Sequence, residues 1–415
     1  MRSVVVCVQL PRFSLAVAAG GREALAAGPV ALAPQIGREA VIGEASAAAE
    51  AYGVRAGLRL GEALAHCPTL RLVTPDPAGV ADAWDRLLGA LEGIGAVVEP
   101  GRPGLAWFEA RGLRRIHGGG VEDVIAAARR AIGVPARIGA APSRFAALAA
   151  ATRARTRRAE IAPAAPARLA AYMAPLPVRL LAARSPEAAD RPAEPATRGL
   201  DHLAELPDAL ERFGIRTLGD LAALPRSALA DRFGPAGPLA HDLARGCDTP
   251  LHPRTPAERL EEALELPESA SGPQLERGLG LLVDRVLARR ERHGRTVRAV
   301  VMSAKLVEGG TWRKQVTFRE ALADSRRMRL ALVPRLADLP APAEALRLRI
   351  EGFGPPAGDQ RSLLAEPAAV RAARLREAVR QARSVAGPDA ALRILPVDPD
   401  SRVPERRLAL APWDP

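Results

Sequence analysis

The first apolar run of the chain ends where α/β enzymes commonly hold a catalytic acid or nucleophile. The stretch VVVCVQLPRFSLAV, Val4 to Val17, predicts a buried strand that breaks at Pro11 and continues with apolar spacing that could begin a helix. The only polar candidates for an acid or nucleophile at this junction are Gln9 and Ser14. Because neither is a carboxylate, the site was either lost from this chain or never present.

Other reactive residue types are too scattered to form a site. The cysteines Cys7, Cys67 and Cys247 are isolated, and the 6 histidines form no H-x-x-x-H or similar pair. Disulfide frameworks and zinc sites need closely spaced ligands. We therefore expect no metal and no cofactor.

Composition favours a polyanionic partner. The 415 residues carry a formal charge of +12, with 48% hydrophobic and 26% charged residues, typical of a globular chain of two to four domains. The charge indicates nucleic acid first and an anionic membrane surface second. An early Pro11–Arg12 interruption argues against a signal peptide, and no apolar run approaches the roughly 20 residues of a membrane span. We expect a cytoplasmic protein without membrane association.

The elements that must position a site begin with mixed α/β structure up to about residue 160. A Pro/Ala/Arg-rich stretch, Arg184–Gly199, then predicts a linker or long loop. The segment FGIRTLGDLAALP that follows predicts either a helix–turn–helix that holds a DNA backbone through main-chain amides or a plain helical hairpin.

From about Glu261 the pattern predicts a β-α-β-β-α-β unit, a ferredoxin-like sheet with helices on one face. In TWRKQVTFRE, Trp312, Val316 and Phe318 alternate with polar residues, and LRLRI alternates leucine with arginine. The polar sheet face is therefore basic, and it is predicted to contact DNA. The residues proposed for this contact are Arg313, Gln315, Thr317, Arg319, Arg347 and Arg349.

Several of these phrases, in this order, resemble the Y-family translesion DNA polymerases. IGVPARIGAAPSRFAALAA is similar to their palm, AYGVRAGLRLGEALAHCP to their fingers and FGIRTLGDLAALP to their thumb. The β-α-β-β-α-β unit is similar to their little finger. The resemblance implies an α+β multidomain fold, a right hand of palm, fingers and thumb plus a little finger. The implied ranges are 1–19 and 75–163 for the palm, 20–74 for the fingers, 164–257 for the thumb with its linker, 258–353 for the little finger and 354–415 for a clamp-binding linker and tail.

The chemistry of that family needs carboxylates from two adjacent strands to bind two metal ions. The resemblance places those positions on four residues without a carboxylate: Gln9, Pro11, Gly104 and Leu105. The fingers' Tyr and Arg, which hold the triphosphate, correspond to Ala47 and Glu50. Glu109 lies about 13 Å along the strand from Leu105, too far to replace a ligand. The resemblance therefore implies a lost catalytic site.

This pattern is similar to the catalytically inactive branch of the family that takes part in bacterial DNA-damage mutagenesis. The similarity implies a non-catalytic adaptor whose partners are DNA, the replicative sliding clamp, an error-prone DnaE-type polymerase and a RecA-like accessory protein. In QRSLL, Gln360, Leu363 and Leu364 have the form of a clamp-binding peptide, or they begin a helix packed on the little finger. Two other functions remain open: an active translesion polymerase with atypical metal ligands, and a nucleic-acid-binding protein unrelated to damage tolerance.

Overall fold

The computed structural model describes residues 4–35, 40–184, 203–256, 258, 260–356, 375–376, 378–383 and 386–413. The chain divides into two compact units, Met1–Gly354 and Pro355–Pro415. Within the described ranges, no helix has both the length and the apolar character required to cross a membrane.

Strands and helices alternate in the first part of unit 1. Its strands are β1 (Val5–Gln9), β2 (Val30–Leu32), β3 (Arg71–Val73), β4 (Val98–Pro100), β5 (Leu105–Glu109), β6 (Arg137–Ala141) and β7 (Glu160–Ile161). Its helices are α1 (Phe13–Ala18), α2 (Arg22–Ala26), α3 (Ala47–Ala51), α4 (Leu60–His66), α5 (Pro77–Gly93), α6 (Leu113–His117), α7 (Val121–Ile132) and α8 (Arg144–Arg153).

A five-stranded sheet in the order β4-β5-β1-β6-β7 forms the centre of this region. The central strand β1 is apolar on both faces because both faces are covered. One face packs on α5 and α7, and the other packs on the alanine-rich α8. A Cβ at Gly139 of β6 would lie 2.1 Å from the backbone nitrogen of Ala151, so glycine permits the close approach of α8.

The segment between β2 and β3 forms a small separate core. These two strands pair in parallel, and α3 and α4 contribute Ala49 and Ala63 to a buried cluster with Ile42 and Val54. This region lies within residues 20–74, the range predicted for the fingers.

Short helices follow β7: α9 (Pro166–Met173), a 3-10 helix Val178–Arg184, α10 (Leu206–Arg212), α11 (Leu218–Ala222), α12 (Arg226–Phe233) and α13 (Ala236–Ala244). The α10–α11 turn is the predicted helix–turn–helix. Its Gly214 and Ile215 N–H groups donate to carbonyls of α10, and those of Arg216 and Thr217 donate to the Asp220 carboxylate. These four amides therefore have partners within the chain.

The last part of unit 1 has the predicted β-α-β-β-α-β order. Its elements are β8 (Leu260–Ala270), α14 (Pro273–Ala288), β9 (Arg295–Leu306), β10 (Thr311–Leu322), α15 (Ser325–Leu332) and β11 (Ala343–Pro356). The strands lie in the order β10-β9-β11-β8. The two strands that a helix connects are therefore separated by one strand of the other β-α-β unit. Both helices pack on one face, against Val300, Phe318, Leu346 and Leu348. The α+β fold class expected from the sequence is confirmed.

In unit 2, β12 (Leu392–Pro396) and β13 (Leu408–Pro412) form an antiparallel ribbon. The facing pair Ile394 and Leu410 lies on one side of the ribbon. Their relative exposures are 65% and 67%, so this side of the ribbon is open in unit 2.

Four buried charged side chains fasten the helical region to the sheet. Asp248 accepts hydrogen bonds from Arg184 Nε and Nη2, both at 3.1 Å, and from Arg144 Nη2 at 3.3 Å. Arg144 also pairs with Glu99 of β4, and all four side chains are at most 5% exposed. Burial raises the pKa of the Asp248 carboxyl, and the charge of Arg144 opposes that rise. We call Glu99, Arg144, Arg184 and Asp248 the buried ion network.

We expect Asp248→Asn to lower the free energy of unfolding by about 3–5 kcal/mol, because it leaves two buried guanidinium groups with one carboxylate. Urea denaturation measures the change. The matched control is Asp242→Asn, whose pair with Arg226 is largely exposed and should contribute less than about 1 kcal/mol. Equal losses for the two variants would contradict a structural role for the network.

Candidate functional site: a palm corner without carboxylates

The strand ends expected to hold metal ligands do lie side by side. Gln9 and Leu105 are directly opposite each other across the β1–β5 pair, and Leu10 N–H donates to the Gly104 carbonyl at 2.7 Å. The side chain of Leu105 is 2% exposed and packs in the core with Cys7 and Trp107. The backbone geometry of a two-strand site is present, but an apolar core residue fills one ligand position.

The remaining position on β1 is also unsuited to a cation. Gln9 Oε1 is buried and has no hydrogen-bond partner in the described part of the chain. Pro11 lies in the turn between β1 and α1 and has no side-chain donor atom. A neutral amide oxygen is a weak substitute for two carboxylates around divalent ions.

Gly104 cannot accept any side chain without rearrangement. Its φ is +89°, a left-handed conformation that favours glycine. A Cβ there would lie 2.7 Å from the Cβ of Phe13 and 2.8 Å from the Leu10 carbonyl oxygen. The corner is therefore closed sterically as well as chemically.

Two nearby glutamates do not replace the missing ligands. Glu109 is exposed at the far end of β5, opposite Val5. Glu99 belongs to the buried ion network, and its Oε2 accepts the His252 N–H at 2.6 Å. Across the described residues, no group of three or more His, Cys, Asp and Glu side chains is placed to hold a metal ion.

The predicted fingers segment presents carboxylates to the β1–α1 turn. Glu50 of α3 accepts a hydrogen bond from Arg12 Nη2 at 2.5 Å, and Arg12 Nε donates to the Ala45 carbonyl at 2.7 Å. Glu44 accepts the Leu15 N–H at 2.9 Å. Ala47 begins α3 and has no polar side-chain group. Arg12 and Glu50 offset each other's charge at this turn, so Arg12 is not available to a triphosphate.

Some residues of the basic sheet face are paired with carboxylates of the protein, and others are not. Arg319, Gln315 and Thr317 are exposed. Arg347 is half-buried and lines a cavity of about 750 Å³ that extends to Leu10 and Pro11. Within the described chain, neither Arg319 nor Arg347 forms an ion pair. These four side chains are placed as the sequence predicted, on the face opposite the helices.

Arg349 and Arg313 already have protein partners. Arg349 is 8% exposed and its Nη1 donates to Asp85 of α5 at 2.7 Å. Burial lowers the pKa of the Arg349 guanidinium, but the carboxylates of Glu351 and Asp85 oppose this and raise it overall. Arg313 lies 3.7 Å from Asp82, also on α5. In this structure, Arg349 is not available to a phosphate.

Sequence reasoning missed Asp82, Asp85, Glu44 and Arg12. A signal existed for the aspartates, since positions i and i+3 share one face of a helix. No local pattern identifies what Arg12 or Glu44 contacts, because their partners are about thirty residues away in the sequence. The predicted clamp-binding residues Gln360, Leu363 and Leu364 lie outside the described residues.

Residues 8–152 match the model of the impB/mucB/samB family. This match begins in β1, ends in α8 and contains the whole carboxylate-free corner. This stretch of the chain is therefore similar to that family.

Relatives named DNA polymerase IV and a relative named ImuB match larger parts of the chain than residues 8–152. A DNA polymerase IV of Moorella thermoacetica is 29% identical over 61% of this chain and 60% of its own length. A DNA polymerase IV of Dehalococcoides mccartyi strain CBDB1 is 25% identical over 89% of this chain and 92% of its own. The protein ImuB of Caulobacter vibrioides strain NA1000 is 29% identical over 88% of this chain and 75% of its own. The solved structure of DinB from Sulfolobus solfataricus covers 84% of this chain and 99% of its own, with 15% identity and a TM-score of 0.47.

We expect Gly104→Asp to destabilise the protein by about 3 kcal/mol or more, because backbone strain and steric overlap act together. Gly119→Asp is the matched control, since Gly119 has φ +101° and open space around its Cβ position. It should cost about 1–2 kcal/mol from backbone strain alone. Thermal and urea melting measure both, and a Gly104→Asp protein as stable as the control would show that the corner can accept a carboxylate.

Proposed function

We propose that this chain is a non-catalytic Y-family polymerase-like adaptor in translesion DNA synthesis and damage-induced mutagenesis. It binds DNA and the replicative sliding clamp, and it recruits an error-prone DnaE-type polymerase together with a RecA-like accessory protein of the ImuA type. The ranges proposed from the sequence for palm, fingers, thumb, little finger and tail describe its working parts.

One observation carries the loss of catalysis: the adjacent ends of β1 and β5 present no carboxylate, and Gly104 has no space for one. Two-metal phosphoryl transfer depends on anionic ligands that hold both cations near the reacting oxygens. At the β1–α1 turn, Glu50 pairs with Arg12, so that arginine is already occupied where a triphosphate would bind. Both features act against nucleotidyl transfer.

Similarity to ImuB supports the adaptor function, since that match covers 88% of this chain. The alternative is an active translesion polymerase with atypical metal ligands. The name DNA polymerase IV, carried by other relatives, favours that alternative.

DNA contact is proposed for the polar face of the four-stranded sheet. Arg319 and Arg347 form no ion pair among the described residues, and Gln315 and Thr317 add hydrogen-bonding groups at the surface. Cationic side chains on one face bind phosphates without reading the base sequence. The resulting binding depends strongly on salt and weakly on sequence.

The test measures binding and chemistry on one preparation of the full chain. We expect labelled primer–template DNA to bind with a linear log–log salt dependence. Incubation with all four deoxynucleoside triphosphates and Mg²⁺ or Mn²⁺ should leave the primer unextended, because no anionic site holds the metal ions. Electrophoretic mobility shift and denaturing gels give the two readouts.

A known Y-family polymerase added to a parallel reaction confirms that the substrate is competent. Template-dependent extension that follows the protein through successive purification columns would overturn the non-catalytic assignment and support the alternative. Absence of DNA binding at low salt would overturn the adaptor function.

Clamp binding is proposed for Gln360, Leu363 and Leu364. Such a peptide docks two apolar side chains in a preformed pocket, while the glutamine amide hydrogen-bonds beside it. Replacing all three residues by Ala should abolish binding to a bacterial sliding clamp in surface plasmon resonance and leave DNA binding unchanged. The control is Leu375→Ala, an exposed leucine outside the motif. A large fall in melting temperature with clamp binding intact would assign these leucines to a packing role.

A further inference from the structure

The proposed DNA-binding face of the sheet rests in part on helix α5. Arg349 donates to Asp85 at 2.7 Å, and Arg313 lies 3.7 Å from Asp82. At the start of the helix, Thr311 Oγ1 donates to Asp76 Oδ2 at 2.9 Å. Three aspartates at or on one helix therefore contact strands β10 and β11. We call these three pairs the α5–sheet contact.

The α5–sheet contact is shaped for close approach. Gly79, in the first turn of α5, would place a Cβ only 2.7 Å from Thr311 Oγ1, so the absence of a side chain lets the strand reach the helix. Asp82 and Ser303, on the facing surfaces, are 8% and 6% exposed. Arg313 and Asp85 are partly exposed, and Asp82 and Thr311 line the 750 Å³ cavity, so water can reach the contact.

The α5–sheet contact uses guanidinium groups, the same groups that would bind DNA phosphates. A guanidinium bonds carboxylate and phosphate oxygens through the same N–H donors. While buried Arg349 holds Asp85 and Glu351, it cannot neutralise a phosphate. Arg313 is more exposed, and Asp82 and Glu351 compete with a phosphate for it. Arg319 and Arg347, on the same face, remain free.

We propose that α5 is an intramolecular competitor for DNA, which holds two arginines of the sheet face until a duplex displaces its aspartates. This inference rests on the proposed function, since it assumes that the sheet face binds DNA. Full DNA binding then requires the sheet to separate from α5. The free arginines provide the first contacts, and the release of Arg313 and Arg349 adds the last.

Asp82→Asn with Asp85→Asn removes the α5 charges and keeps side-chain shape. Glu351 still pairs with both arginines, and Arg254, which also contacts Asp85, keeps its Glu92 partner. Release of two arginines should steepen the slope of the logarithm of the binding constant against the logarithm of salt concentration by about 1.8, at about 0.9 per phosphate. We also expect affinity at moderate salt to rise about tenfold. The matched control is Glu109→Gln with Glu122→Gln, which changes net charge equally at two exposed positions outside the four-stranded sheet. It should leave the slope unchanged.

A reversible cross-link tests the same competition without removing charge. A Cβ at Gly79 would lie 2.7 Å from Thr311 Oγ1, close enough for a disulfide between Gly79→Cys and Thr311→Cys once the Asp76 carboxylate, 2.2 Å from that Cβ, moves aside. Cys247 is the exposed native cysteine and is replaced by Ser. The oxidised protein should bind DNA more weakly than the reduced protein, with a shallower salt slope. Equal affinity in both states would overturn the proposal.

A third variant separates failure of the competition from failure of the proposed function. Arg319→Glu with Arg347→Glu should weaken DNA binding and reduce the slope. If it does, but the aspartate variant behaves like its control, the sheet binds DNA and α5 does not compete. If DNA binding is unchanged by both arginine substitutions, the sheet face is not the DNA site, and the inference fails together with that part of the proposed function.

Discussion

The arrangement of unit 1 depends on the buried ion network. Glu99, Arg144, Arg184 and Asp248 come from four distant parts of the chain, and each needs the others because an unpaired buried charge is costly. The network joins β4 and the start of α8 to the segment after α13. That segment then runs along β4, where Arg254 N–H donates to the Val98 carbonyl at 2.9 Å. The four-stranded sheet begins a few residues later, so the network also positions its first strand.

The corner formed by the ends of β1 and β5 has the geometry of a two-strand site but presents no carboxylate. The register of β1 and β5 still brings two strand ends together, because that register also aligns apolar side chains in the cores on both sheet faces. Leu105 has become part of one core, and Gly104 lies against Phe13 and Leu10. Core packing therefore occupies both strand ends at this corner.

The formal charge of +12 does not show where basic side chains are offered to a partner. Several arginines are neutralised within the fold, by Glu50 at the predicted fingers, by Asp85 and Asp82 on α5, and by the buried ion network. Such pairs fix one element against another, which net charge cannot reveal. The cations that remain free on the sheet face, Arg319 and Arg347, are few and are placed close to occupied ones. Many of the arginines thus pair with carboxylates within the fold, and fewer are left on the sheet face proposed to bind DNA.

The sequence by itself determined the order of elements, the parity of the sheet strands and the missing carboxylates. These depend on local periodicity and on residue identity, as in the alternation of Trp312, Val316 and Phe318 with polar neighbours. Only the tertiary structure decided which arginines lack an ion-pair partner among the described residues. It also decided that a side chain at Gly104 would overlap Phe13 and that Glu99 pairs with Arg144. Arg349 meets Asp85 across more than 250 residues of chain, and no local pattern encodes such a contact. Long-range pairing is set by how whole elements pack, and packing exists only in the folded chain.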